Sequence, residues 1–316
     1  MQRPFQTFVG VDLGGAKGKT TALARLEATP TGVRVVEASV RGPAGTPWYD
    51  DPLLGYLRAL PAGTAVGIDA PLTLTACVRC QLPVCPGIPA CVDPTVVWFR
   101  TVGDVLAAPP ESERSVTAPT WKKPLTTPYT QRATEIILHR EHGILPRETL
   151  GQGMGPLTAR ARHLTRALAD RFVLGDNLLE VYPKATVHNL FGARAARRYK
   201  REVDTWQTRA ELLEALSDEL EFAVWREGCL QSDHIFDAVL CAYTTYLWAR
   251  DGWQIPAQHQ AIADADGWIW FPPVARNAAE APQTEPDPGP DSDDVAEGDA
   301  AAAVPPHSSS STFQYK

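Results

Sequence analysis

The sequence predicts an α/β protein: a mixed sheet flanked by helices, with a cysteine-containing insertion and a disordered C-terminal tail. Three observations carry that prediction. Short apolar runs at 8–13, 65–70 and 177–182 each hold one acidic residue and each stop at Gly or Pro. Strand-like and helix-like stretches alternate between them, the pattern of an α/β sheet. After Asn277 large apolar residues are few and Ala, Pro, Asp, Glu and Ser dominate, so this stretch cannot offset the entropy lost on ordering.

The elements follow in order. Phe8 to Leu13 reads as a buried strand running into a tight turn at Gly14-Gly15. Thr20–Leu26 and Val33–Val40 alternate or are β-branched, which extends this strand into a meander. Leu53, Leu54, Leu57 and Leu60 repeat at helical spacing behind Asp50 and Asp51. Ala65–Ala70 is a second buried strand, closed by Pro71. Residues 77–172 then interrupt the rhythm as an insertion. It holds four cysteines, a Pro/Thr-rich segment at 117–130, and helices near Thr134–His142 and Leu157–Phe172. Asn177–Tyr182 is the third acid-bearing strand. Helices are expected over Thr208–Trp225 and from Asp233 to Gly252, and Ile262–Phe271, centred on Asp266-Gly267, is expected to form a β-hairpin. The domain therefore spans 1–276 and the tail 277–316.

Charge is distributed unevenly. The chain has 37 acids and 30 bases, but eight acids and one base fall after Asn277, which leaves 29 of each in residues 1–276. A surface for an anionic partner must then be a local patch, because the domain has no global positive field. No apolar segment follows the opening Met-Gln-Arg-Pro, and no run of eighteen apolar residues occurs. The expectation is a soluble, cytoplasmic protein with no membrane partner.

The chemistry lies in the acids. Asp12, Asp69 and Glu180 stand at or near the carboxyl ends of three apolar strands, and Asp233 and Asp237 open the last long helix on one face at i, i+4 spacing. A carboxylate in an apolar strand is costly to bury unless it is paired or binds a cation. Ligands of open α/β sheets gather at those strand ends. A turn or N-cap role is the competing explanation, and it fits Asp233, which follows Ser232, better than Asp12 or Asp69.

Gly-Val-Asp-Leu-Gly (10–14), Gly-Ile-Asp-Ala-Pro-Leu (67–72), Glu-Val-Tyr-Pro-Lys-Ala (180–185) and Phe-Asp-Ala-Val-Leu-Cys-Ala (236–242) together resemble the DUF429 family, predicted nucleases of the RNase H fold. Arg132-Ala-Thr-Glu135 and Asp266-Gly267-Trp268-Ile269 look like further landmarks, and the resemblance spans 5–273 apart from the cysteine segment. It implies an RNase H-like sheet and a catalytic site in which Asp12, Asp69 and Asp237 ligate Mg²⁺ or Mn²⁺, completed by Glu180 or Asp233. Two such ions would activate water and stabilise the leaving oxygen of a nucleic-acid phosphodiester. The role of bridging both ions carries over to Asp12. The i, i+4 helix pair departs from the i, i+3 pair of resolvase-type relatives, which leaves open which of Asp233 and Asp237 serves.

Around this site, Arg132 reads equally as a substrate contact or as one half of a helix ion pair with Glu135. Lys184 could neutralise a phosphate or be a surface lysine. Trp121-Lys122-Lys123 could contact a nucleic-acid backbone and base, though a solvated loop is the commoner reason for such a sequence. Cys77, Cys80, Cys85 and Cys91 offer four soft ligands in one proline-punctuated loop. They suit Zn²⁺, with a [4Fe–4S] cluster as the alternative. Cys229 and Cys241 read as core residues.

Two rivals remain. An ATP-binding, sugar-kinase-like member of the fold would use Asp12-Leu13-Gly14-Gly15 as a phosphate turn, but no glycine follows Asp69 until Gly87 to form a second one. A P-loop would need glycine where Leu13 stands. A non-catalytic metal-binding interaction module would keep the acids without turnover.

Overall fold

The apolar runs become strands because their neighbours bury both faces. β1 (Thr7–Asp12), β2 (Ala22–Ala28) and β3 (Val33–Ser39) form an antiparallel meander. Helix α1 (Asp50–Ala59) buries Leu53, Leu54 and Leu57 and returns the chain as β4 (Thr64–Asp69), parallel to β1. β5 (Leu178–Val181) pairs parallel with β4. This computed structural model describes residues 3–15, 19–43, 45–107, 127–201 and 203–273, with 102–107 described by backbone alone. The tail after Asn277 and Trp121-Lys122-Lys123 lie outside those residues.

Between β4 and β5 the chain forms α2 (Ala76–Arg79), α3 (Pro94–Ala107), α4 (Ala133–His142) and α5 (Gly155–Ala167). After β5 come α6 (Pro183–Phe191), α7 (Ala193–Arg201), α8 (Thr205–Ala215), β6 (Leu220–Phe222), α9 (Glu227–Gln231), α10 (Asp233–Asp251), α11 (Gln260–Asp266) and β7 (Ile269–Trp270). The seven strands are ordered β6-β3-β2-β1-β4-β5-β7, a mixed sheet as the sequence predicts.

Two cores sandwich the sheet. On one face α10 lies across it, with Phe236, Val239, Leu240 and Trp248 fully buried and Tyr199 of α7 and Leu212 of α8 packed alongside. On the other face α1 and α5 bury Leu53, Leu57, Ala161 and Leu164 against Val9, Val11 and Val66. α10 begins at Ser232, whose hydroxyl accepts from the Ile235 amide, and ends at Gly252 in the left-handed region (φ 63°). Among the described residues no helix is long and apolar enough to cross a membrane.

Two expected elements differ. The hairpin over 262–271 is instead α11 followed by β7, which pairs parallel with β5. Asp266-Gly267 serves as a helix end: Gly267 (φ 78°) stops α11, while the Asp266 carboxylate is drawn inward by Arg79 and the Ala133 amide. The helix over Thr208–Trp225 also ends early, at α8, because Leu220–Phe222 adds a parallel edge strand to β3. In both places a tertiary partner overrides local pattern.

Candidate metal centre

Two glycines set the geometry. β1 and β4 pair in register, Gly10 opposite Gly67 and Asp12 opposite Asp69. A Cβ on Gly10 would lie 2.0 Å from the Ala238 carbonyl oxygen, and one on Gly67 would lie 2.2 Å from Thr245 Oγ1. α10 therefore rests directly on the backbone of both strands. That contact brings Asp237, one residue before Ala238, over the two strand-end aspartates. One carboxylate oxygen from each of Asp12, Asp69 and Asp237 lies within 4.8 Å of the other two.

Three carboxylates this close repel one another, and Lys200 and His234 answer them. Lys200, from the end of α7, places Nζ 2.5 Å from Asp237 Oδ2. His234 Nδ1 lies 2.6 Å from Asp12 Oδ2. Burial pushes Asp69 well above the usual carboxylate range, and the charges of Asp12 and Asp237 push further. Burial lifts Asp237 to about 6 against the pull of Lys200. Burial alone would lower the Lys200 ammonium, but Asp237, Tyr199, Asp69 and Asp12 hold it well above its ordinary value. The hydrogen bond to Asp12 raises His234 despite partial burial. Asp237 Oδ1 is buried and has no hydrogen-bond partner, as does the neighbouring Tyr199 hydroxyl. An orphaned, buried acceptor beside two more carboxylates suits a hard divalent cation, which prefers oxygen.

The other two expected acids border the cluster but are held differently. Glu180, at the end of β5, has both oxygens on the Arg132 guanidinium, and its Oε2 also accepts from the Leu72 amide at 2.9 Å. Asp233 accepts from the His234 amide at 3.0 Å in the first turn of α10, while Ser232 makes the cap. Arg132 is 1% exposed and bonds Glu135, Glu180, Thr73 and Thr149. The ion-pair reading of Arg132 and Glu135 is therefore met, extended by a second acid, and Arg132 is walled off from solvent. Lys184 stands half-buried in the first turn of α6.

Sequence reasoning missed Lys200, His234 and Tyr199. His234 lies inside the acid pair 233/237 and could have been suspected. Lys200 lies next to the end of an Ala193–Arg201 run with five basic residues, a pattern that by itself suggests only a solvated helix.

The cysteine loop is mostly exposed. Cys77, Cys80 and Cys85 are exposed and Cys91 half-buried. Partial burial raises the Cys77 thiol, and Cys85, Cys91 and Cys80 raise it further, so the four thiols share one neighbourhood. Among the described residues no three of them converge as the carboxylates do. The Arg79–Asp93 ion pair at 2.8 Å closes the base of the loop, and the Gly87 amide donates to Cys85 Sγ. Cys229 and Cys241 are buried, as expected.

Fold and site together define a class: a mixed-sheet α/β protein with an all-aspartate candidate metal centre at the strand ends. The chain matches the family described as "Protein of unknown function (DUF429)" over residues 10–261 and belongs to it. No curated protein and no solved structure matches it.

Proposed function

We propose that this protein is a divalent-metal-dependent nuclease that hydrolyses nucleic-acid phosphodiester bonds at Asp12, Asp69 and Asp237, in the cytoplasm, on an RNase H-like sheet. The observation that carries the reading is the convergence of three carboxylates from three separate segments, with one buried oxygen left unpartnered. The oxygen-only donor set favours Mg²⁺ or Mn²⁺. Bound there, the metal would lower the pKa of water and neutralise charge on the phosphate. His234 orients Asp12 and Lys200 orients Asp237. Glu180 acts one step removed: it holds the Leu72 amide, and Arg132 holds the Thr73 hydroxyl, just beyond Asp69. Asp233 braces the first turn that carries His234.

The kinase-like rival needs the turn after β1 open to a phosphate. In the described part of that turn, a Cβ on Gly15 would meet Leu157 at 2.6 Å, and the Gly14 carbonyl accepts from Arg160. α5 packs on the described part of that turn, which counts against a phosphate bound there.

The test is cleavage of single- and double-stranded DNA and of RNA in Mg²⁺ and Mn²⁺, with Asp12→Asn beside wild type. Expected is metal-dependent cleavage that the substitution lowers on the order of a thousandfold, the several kcal/mol a bound metal supplies. Wild type inert on every substrate in both metals would sink the reading.

We assign the four-cysteine loop a separate structural zinc. Val78, Leu82, Val84, Ile88 and Val92 are all exposed there, so the loop has little core of its own, and a closed four-thiolate site would order it. The Gly87 amide already donates to the Cys85 sulfur. Elemental analysis should find about one zinc per chain, lost in Cys80→Ser/Cys85→Ser. Iron with labile sulfide would replace zinc by a cluster; neither metal would leave plain thiols.

A further inference from the structure

α7 carries Arg194, Arg197, Arg198, Lys200 and Arg201 and no acid, in a domain whose acids and bases balance overall. Its orientation is fixed. Ala196 and Tyr199 are buried, the Tyr199 ring stands 5.5 Å from that of Phe236, and Arg209 donates to the Tyr199 carbonyl. At 3.6 residues per turn, Lys200 borders that buried side, and Arg197, Arg201, Arg194 and Arg198 continue round from it. Arg194, Arg197 and Arg201 are exposed. The Lys200 ammonium touches Asp237 Oδ2, so the basic face of α7 begins at the carboxylate cluster and leads outward from it.

We infer that α7 is the platform that holds the sugar–phosphate backbone of a nucleic-acid strand and leads it into the aspartate cluster. The inference rests on the nuclease reading for its substrate, but binding and cleavage can be separated. A cluster of three acids repels a polyanion, so a substrate strand needs compensating positive charge immediately beside it. α7 supplies that charge as a rigid stripe. From Arg194 to Arg201 it runs roughly 10 Å along the helix, about the axial length of three nucleotides. Lys200 stands at the junction, where it can shield a phosphate from Asp237. Recognition by such a stripe is of phosphates and not bases, so it is independent of sequence.

The experiment is fluorescence anisotropy of labelled 20-mers (single-stranded DNA, duplex DNA and RNA) with the full chain in EDTA, where no cleavage interferes, across a salt series. Arg194→Glu/Arg197→Glu is compared with wild type, with Arg194→Gln/Arg197→Gln as the milder pair and thermal unfolding as the fold check. Both residues are exposed, so either pair should fold. Wild type should bind at low salt. The Gln pair should weaken binding about tenfold and lower the slope of log affinity against log salt by about two, one per lost phosphate contact; the Glu pair should weaken it further. Asp12→Asn should bind at least as well as wild type, since it removes a repelling charge. Wild type that binds no oligonucleotide, or folded variants with wild-type affinity and slope, would overturn the platform. If variants lose binding while no substrate is ever cleaved, the platform stands and the nuclease reading falls. If cleavage proceeds and binding ignores α7, the reverse holds.

Discussion

Two groups of acids behave as opposites in the structure. Asp12, Asp69 and Asp237 face one another, with Lys200 and His234 at their edge and one oxygen unpartnered. Glu135, Glu180 and Asp266 are buried, but each is answered from inside the protein. Arg132 bonds both glutamates, and Glu135 accepts from the Thr149 amide and hydroxyl. Asp266 accepts from Arg79 and Thr95 and from the Ala133 amide. The second group locks α4, α11, β5 and the segment after β4 together. Burial of an acid is therefore a poor sign of function; unfilled acceptor capacity is the better one.

That contrast predicts opposite responses. Arg132→Ala leaves Glu135 and Glu180 buried without their counter-charge, and should cost on the order of 4 kcal/mol in urea denaturation. A loss below about 1 kcal/mol would mean that the lock is not structural. Gly10→Ala drives a methyl into the Ala238 carbonyl and should cost about 3 kcal/mol. It should also weaken Mn²⁺ binding by calorimetry, because α10 can no longer hold Asp237 over the strand ends. A variant that is destabilised but binds Mn²⁺ as wild type does would separate the glycine contact from the site.

Smaller effects are expected inside the aspartate group. Lys200→Met removes the counter-charge from Asp237, and the metal-free protein should lose about 1–2 kcal/mol, since Lys200 is partly exposed and water screens the pair. Mn²⁺ should then raise the thermal midpoint of the variant more than that of wild type, because metal and ammonium no longer compete for Oδ2. An equal Mn²⁺ shift in both would sink the idea of competition.

Asp69→Asn should stabilise the metal-free protein, opposite in sign to Arg132→Ala. Asp69 and Asp237 are raised in the fold, Asp237 to about 6. The folded state therefore holds protons that the unfolded chain gives up above about pH 4, and stability falls as pH rises through the folded values. The advantage of Asp69→Asn over wild type in EDTA should grow as pH rises from about 4 through the folded values. A pH-independent difference would show that the three carboxylates do not strain one another.

Sequence alone fixed the mixed sheet and the acid-bearing strands β1, β4 and β5, because an apolar run broken by one carboxylate and stopped by Gly or Pro has few other readings. It also placed Asp12, Asp69 and Asp237, since strand ends and a helix start are local features. It could not tell which of Asp237 and Asp233 serves, nor whether Glu180 or Asp233 completes the set. The answer turns on contacts between segments far apart in the chain: Arg132 takes both oxygens of Glu180, while α10 brings Asp237 within 4.8 Å of Asp12 and Asp69. The hairpin expected at Asp266-Gly267 became a helix end for the same reason: Arg79, 187 residues distant, claims the carboxylate. Local pattern reports what a segment can bury. Only the folded chain decides which buried charges find partners and which are left facing one another.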